Sequence, residues 1–335
     1  LTVNSGTDTG TITFATAADV GTATAAGASS IIVGGTGTTT LAINGAEYFT
    51  TGNQEYEANS ITMGGANPDF HASADGSHIK FIDGATGDIV LADTANLTVQ
   101  TNNGLIDIAP QIKGTADGDN TNVTLSSSGS DGTGTIVLDN TGGAVIGTDI
   151  GDVALTGGTI TVSHNIETDA GGIDIDGAFV LNKSNGTITV TSGTTGAGNI
   201  DFDSTIRATT AAGNAESLTI INGSGTVGIG GIIGGGTKPL KALNIAASAS
   251  TDTGAVTIKQ IGADASTAGA TTVTIGHTGN ALGSITFSGS VYTSSDDQTY
   301  IADGYSMTAA DPVFTAAAKD ITFTDAGAGS LVLAD

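Results

Sequence analysis

The sequence has no cysteine and no tryptophan, four prolines, and eight Lys and Arg together against thirty-three Asp and Glu. Without cysteine there is no disulfide, no thiolate metal site and no thiol nucleophile. Seven lysines and the single Arg207 cannot build a phosphate-tracking surface, so nucleic-acid binding is excluded, and an anionic membrane would repel the chain. Aromatic residues are 4 % of the total. Sites for sugars, bases and drug-like ligands lean on aromatic faces, and this chain has few to offer. Four prolines beside 52 glycines fit neither collagen nor a proline-rich linker. No run approaches the ~18 apolar residues of a membrane span, so no membrane insertion is expected. No window carries a helical apolar period, so no long helix is expected. The chain opens directly on a strand phrase, with no signal-peptide pattern, and reads as a piece of something longer.

What the sequence does have is one phrase, repeated. Gly283-Ser284-Ile285-Thr286-Phe287 alternates apolar and small polar residues, so Ile285 and Phe287 face one way on a strand and Thr286 the other. The phrase recurs at Gly10–Phe14, Gly134–Leu138, Gly158–Val162, Gly186–Val190, Gly198–Phe202, Gly225–Ile229 and Gly254–Ile258. The last intervals are nearly even, 225−198=27, 254−225=29 and 283−254=29. A fixed period in this range marks a repeat architecture.

A second, longer period overlies the first. Gln54-Glu55-Tyr56 matches Gln298-Thr299-Tyr300, at 300−56=244, and Ile89-Val90-Leu91-Ala92-Asp93 matches Leu331-Val332-Leu333-Ala334-Asp335, at 335−93=242. Residues 46–93 and 290–335 are therefore copies of a repeat of roughly 240 residues. Residues 1–335 are expected to form one continuous solenoid segment of a longer repetitive protein.

The expected fold is all-β: a right-handed parallel β-helix, or β-solenoid, with 27–29 residues per coil. A coil of that length holds three short strands and three turns. Inward Ile, Val, Leu and Phe stack on their equivalents one coil away, while Thr, Ser and Asp face water. Gly and Asn at corners supply positive φ. The mean hydropathy of +0.16 is consistent with a long aliphatic core.

From Gly198 to Ile245 the order runs G-x-I-x-F, S-L-T-I, G-T-V-G-I-G-G-I-I-G-G and T-K-P-L-K-A-L-N-I. This resembles the long repeats of giant bacterial surface proteins of the filamentous-haemagglutinin-like, autotransporter-adhesin kind. The resemblance covers most of the chain, and its motifs are structural punctuation. It implies a parallel β-helix outside the cell, at a bacterial surface, and carries over no catalytic residue.

Chemistry was sought in the remaining features. Asp117-Gly118-Asp119-Asn120 is an oxygen-rich turn; Asp117, Asp119 and Asn120 have the donor chemistry calcium takes, against the plainer reading of a polar turn. Tyr48, Phe49, Tyr56, Tyr292, Tyr300 and Tyr305 concentrate the aromatics in the two copies; they read as a binding patch or as rings packed against the solenoid side. Asp174/Asp176 and Asp201/Asp203, with Arg207 nearby, are the carboxylates a sugar-cleaving β-helix enzyme would need, but this i, i+2 spacing is common by chance. The four histidines, His71, His78, His164 and His277, have no ligand spacing. Gly230–Gly236 lacks a phosphate-loop ending and reads as a tight turn.

The reading is thus a structural, non-enzymatic protein without a cofactor, calcium excepted. It would be a segment of a cell-surface fibre, sheath or stalk that associates with itself, head to tail and laterally. The first alternative is an adhesin binding a glycan or another cell through the aromatic blocks; a polysaccharide-acting enzyme stands behind that. Both ends read as uncapped strands, which motivates the head-to-tail expectation.

Overall fold

The computed structural model describes residues 1–333 except for 4–9, 17–18, 23, 65–66, 85–86, 116–120, 130–131, 141, 148, 194–197, 210–215, 236–237, 247–251, 280–281, 318 and 328. Among the described residues there is no helix. Two compact units divide the chain, Leu1–Thr168 and Asp169–Asp335. Each is an all-β solenoid of stacked coils whose strands pair in parallel, apart from the short antiparallel pair Gly21–Thr22 and Ala25–Ala26 of the first unit.

The first unit has three faces. On one, Glu47–Thr50, Asp69–Asp75, Leu97–Asn102 and Val123–Ser127 pair in succession. On the second lie Ile31–Gly34, Gln54–Ala58, Ile79–Asp83, Leu105–Ile108 and Thr135–Leu138. The third carries Gly10–Phe14, Thr38–Ile43, Ile61–Met63, Asp88–Leu91 and Gln111–Lys113. Alternation turns every second residue inward, and the register then stacks like on like. Val33, Tyr56, Phe81, Ile108, Leu138 and Val162 form one buried column.

The second unit repeats the plan. Ile175, Phe202, Ile229, Ile258 and Phe287 make a buried column from paired strands. Phe179, Ile206, Ile233, Ile261 and Tyr292 make another. Val190, Ile220, Ile245, Ile275 and Tyr300 make the third. Burying a large aliphatic or aromatic side chain contributes about 1.5–3 kcal/mol. The columns are therefore the main source of stability in both units.

Coil length differs from the sequence expectation. The interval of 27–29 residues holds from Ile173 through Ile200, Val227 and Val256 to Ile285. Beyond it the next interval is 20, from Ile285 to Tyr305, and between the paired strands of the first unit intervals run from 20 (Leu41 to Ile61) to 30 (Ile106 to Ile136). Only the strands are constrained by the ladder; the turns absorb the difference. The strand phrase also marks no single face. In the second unit Ile285 pairs with Val256, whereas Ile188 pairs with Leu218 on another face. A further correction concerns Gly230–Gly236. Val227–Ile233 is a strand, with its irregularity between Ile229 and Ile232, and the backbone turns only at Gly234, with φ +64°. Ile232 and Ile233 supply enough ladder and core contact to override the glycines.

Candidate functional site

The aromatic residues of the two copies build one local arrangement twice. Tyr48 stacks on Phe70 at 4.9 Å with an interplanar angle of 12°, and Tyr292 on Phe314 at 4.7 Å and 15°. Tyr56 stacks on Phe81 at 5.2 Å and Tyr300 on Phe323 at 5.0 Å. Between the stacks sits a fully buried glutamine, at a position where neighbouring coils place Ile31 and Ile79. The Gln54 amide donates to Tyr48 O at 2.7 Å and to His71 O at 2.8 Å, and its Oε1 accepts from the Tyr56 hydroxyl at 2.9 Å. Gln298 does the same with Tyr292 O, Thr315 O and the Tyr300 hydroxyl. The polar side chain survives in an apolar column because both ends of its amide are satisfied.

This geometry corrects the binding-patch expectation. Tyr48, Tyr56, Tyr292 and Tyr300 are fully buried, Phe49 is 6 % exposed and Tyr305 is 7 % exposed. Their rings fill the coil interior or are covered, so they offer no face to a partner. Burial also pushes the phenols of Tyr48 and Tyr292 up to about 12, with the Gly45 and Gly289 N–H groups partly opposing it. The calcium expectation at Asp117, Asp119 and Asn120 lies outside the described residues. Among the described residues no three His, Cys, Asp or Glu side chains converge as a metal-ligand set.

The carboxylates singled out in sequence do come together in part. Asp174 and Asp201 are in register on neighbouring strands of the second unit, and the next position along that column is Gly228. Both carboxyls are held above the usual carboxylate range by partial burial first. Asp203 and Asp176 add repulsion at Asp174; Asp174 and Asp203 add it at Asp201. Arg207 sits on a different strand, opposite Val180, and no ion pair among the described residues includes it. Lys80 meets Asp107 at 3.6 Å and Lys113 meets Asp88, each across one coil of the outer ladder.

The histidines are dispersed. His78 Nε2 lies 2.8 Å from Glu55, His164 Nδ1 lies 2.9 Å from Ser163 Oγ, and His277 Nδ1 accepts from Gly279 N–H at 3.0 Å. His71 is different, because it faces a groove. Phe49, His71, Gln100 and Ser126 form one outward column by register, and the Phe49 and His71 rings meet edge to face at 5.2 Å. The ladder is irregular between Ala72 and Asp75, which opens a polar groove of about 300 Å³ lined by His71, Ser73, Gln100, Asn102 and two serines. Nothing in the sequence marks this groove except the outward Phe49 before an outward His71.

No protein-family model, no curated protein and no solved structure matches the chain.

Proposed function

We propose that the chain is a structural segment of an extracellular fibre, sheath or stalk, and that copies associate with one another into filaments. The observation that supports it most is the duplicated tyrosine–glutamine cluster. The residue types most useful for recognition are spent inside the coils, at Tyr48, Gln54, Tyr56 and Phe70 and again at Tyr292, Gln298, Tyr300 and Phe314. What remains outside is a repeating surface of Thr, Ser, Asn and Asp on parallel ladders. A surface of this kind suits an element that packs against its own copies. The bacterial cell-surface setting rests on the repeat resemblance.

Electron microscopy of the purified chain tests the reading. Filaments or laterally bundled rods are expected. Dispersed particles under all salt and cation conditions would overturn it.

The groove at His71 favours a second reading, an adhesin that takes a neutral, hydroxyl-rich glycan. Gln100, Asn102 and the serines offer donors and acceptors without charge, and a ring edge lies beside them. Binding of neutral polysaccharide that is lost in Q100A/N102A would establish it; equal binding by both proteins would dismiss it.

A further inference from the structure

Among the described residues of the second unit, three buried oxygen atoms have no hydrogen-bond partner: Asp252 Oδ2, Asn222 Oδ1 and Ser192 Oγ. Their residues are 1 %, 0 % and 0 % exposed. They are also evenly spaced in sequence, 222−192=30 and 252−222=30. The even spacing has a structural counterpart. Ser192 and Asn222 directly follow the paired strands Thr187–Thr191 and Ser217–Ile221, and Ser192 N–H bonds to Ile221 O at 3.1 Å. Asp252 belongs to the coil after, where Thr253 N–H bonds to Gly223 O at 2.9 Å. Three successive coils thus bring a hydroxyl, an amide and a carboxyl to one corner.

The side chains are fixed, not loose. Asn222 Nδ2 donates to Gly225 O at 2.5 Å, and Asp252 Oδ1 accepts from Gly223 N–H at 2.7 Å. Rotating the Asn222 amide would set its oxygen against the Gly225 carbonyl, acceptor against acceptor, so the placement of Oδ1 is fixed. The backbone is closed around them. Gly223 has φ +53°, and a Cβ on Gly254 would lie 1.6 Å from Gly225 O and 2.9 Å from Asn222 Nδ2. No ion pair among the described residues includes Asp252. A carboxylate buried with half of its oxygens unpaired is costly, as is an amide oxygen in the same condition. Both deficits are of acceptor atoms, so what they lack is positive charge or a donor.

We propose that Asp252, Asn222 and Ser192 form an internal site for a hard, oxygen-preferring cation, with calcium as the probe. Carboxylate, amide and hydroxyl oxygens are the ligand types such ions take, and the rest of the shell is completed by backbone carbonyls or water. One cation would neutralise Asp252 and give all three orphaned oxygens a partner. It would also tie three consecutive coils together at that corner. The donor set contains one carboxylate, so it is a different kind of site from a cluster of acidic side chains. The inference stands apart from the structural reading above and does not depend on it.

The test is thermal unfolding of the full chain, first stripped with chelator, then given millimolar calcium at constant ionic strength. A rise in Tm of roughly 5 °C or more is expected for a ligand bound only by the folded state. The rise should be lost in D252N and reduced in N222A, with both variants retaining the β-sheet circular dichroism of the parent. Calorimetric titration of calcium into the stripped parent should give one saturable site, a readout that stands even if a variant fails to fold. An equal rise in D252N would assign the effect to surface carboxylates and overturn the proposal. So would a parent indifferent to calcium, in which case a water molecule or a proton on Asp252 satisfies the corner.

Discussion

Tyr56 donates its phenolic hydrogen to Gln54 Oε1 at 2.9 Å inside the first unit, two residues along the same strand. The bond fixes which end of the Gln54 amide is oxygen, and therefore which end donates to Tyr48 O and His71 O. Those two carbonyls belong to different coils. The pair thus sets register between coils as well as filling the core.

Removing the amide should cost more than removing the hydroxyl. In Q54L the Tyr56 hydroxyl loses its acceptor and two buried carbonyls lose a donor, so a destabilisation of about 2–3 kcal/mol is expected. In Y56F only Gln54 Oε1 is orphaned, for about 1 kcal/mol. Denaturant midpoints of the two variants and of the double variant give the ordering. If Y56F proves as damaging as Q54L, the amide is not the organising group.

The stacked rings give a second, larger effect. Phe70 is fully buried, stacked on Tyr48 and edge-on to Tyr56 and Phe81. F70A should lower stability by about 3–5 kcal/mol through lost burial and the cavity left behind. Hydrogen exchange should show the loss concentrated in the strands Glu47–Thr50, Gln54–Ala58 and Ile79–Asp83. A uniform loss of protection along the whole chain would mean that the cluster is not a local fastener.

Much of this architecture was legible in the sequence, because strand alternation and corner glycines are local signals. Ile285 and Phe287 inward with Thr286 outward needs only the two-residue period, and the structure keeps that pattern. Coil length was less legible, because the ladder constrains strands and leaves turns free, as the 20-residue step from Ile285 to Tyr305 shows. The tyrosines misled because aromatics in a Thr-rich chain resemble a surface patch. Their burial depends on Gln54 and Gln298 occupying inward positions, which a polar residue does only when its partners are supplied from other coils. Asp252 and Asn222 were missed altogether. Their even 30-residue spacing with Ser192 was visible, but without the strand register nothing distinguished these residues from other polar residues in turns.

The carboxyl pair of the second unit makes the chain respond to pH. Asp174 and Asp201 are both raised above the ordinary carboxylate value by desolvation first; Asp203 and Asp176 then repel Asp174, and Asp174 and Asp203 repel Asp201. A carboxyl whose folded pKa exceeds its unfolded one takes up a proton more readily when folded. Its contribution is therefore unfavourable at neutral pH, and the penalty is relieved as pH falls through the raised value. D174N should stabilise the unit at pH 7, lose that advantage near pH 3, and bring the Asp201 titration back toward the ordinary range. An unmoved Asp201 titration by NMR would show that Asp174 has no part in raising it.

Protease access should follow the ladder. Lys80, Lys113, Arg207, Lys241 and Lys259 lie on paired strands, whereas Lys183 and Lys319 lie in turns. Strands in a ladder open rarely, so native trypsin digestion should begin at Lys183 and Lys319 and leave large fragments. Early cleavage after Lys80 or Arg207 would indicate that the coils open far more readily than their columns of buried side chains suggest.

Lateral association of copies must contend with charge. The difference between thirty-three acidic and eight basic residues leaves −25 on each chain, and several of the cations are already engaged along the outer ladder, as at Lys80–Asp107 and Lys113–Asp88. Exposed like charges repel over a screening length of about 10 Å at 0.1 M salt and about 30 Å at 0.01 M. Side-by-side packing at low ionic strength should therefore need a divalent cation to bridge carboxylates, or added salt to screen them. Light scattering should rise on adding millimolar calcium or magnesium and fall again with chelator, and D252N should behave as the parent does because its carboxyl is buried. Bundles that form at low salt in chelator would place the lateral contacts on the neutral Thr, Ser and Asn columns instead. The acidic residues would then serve solubility alone.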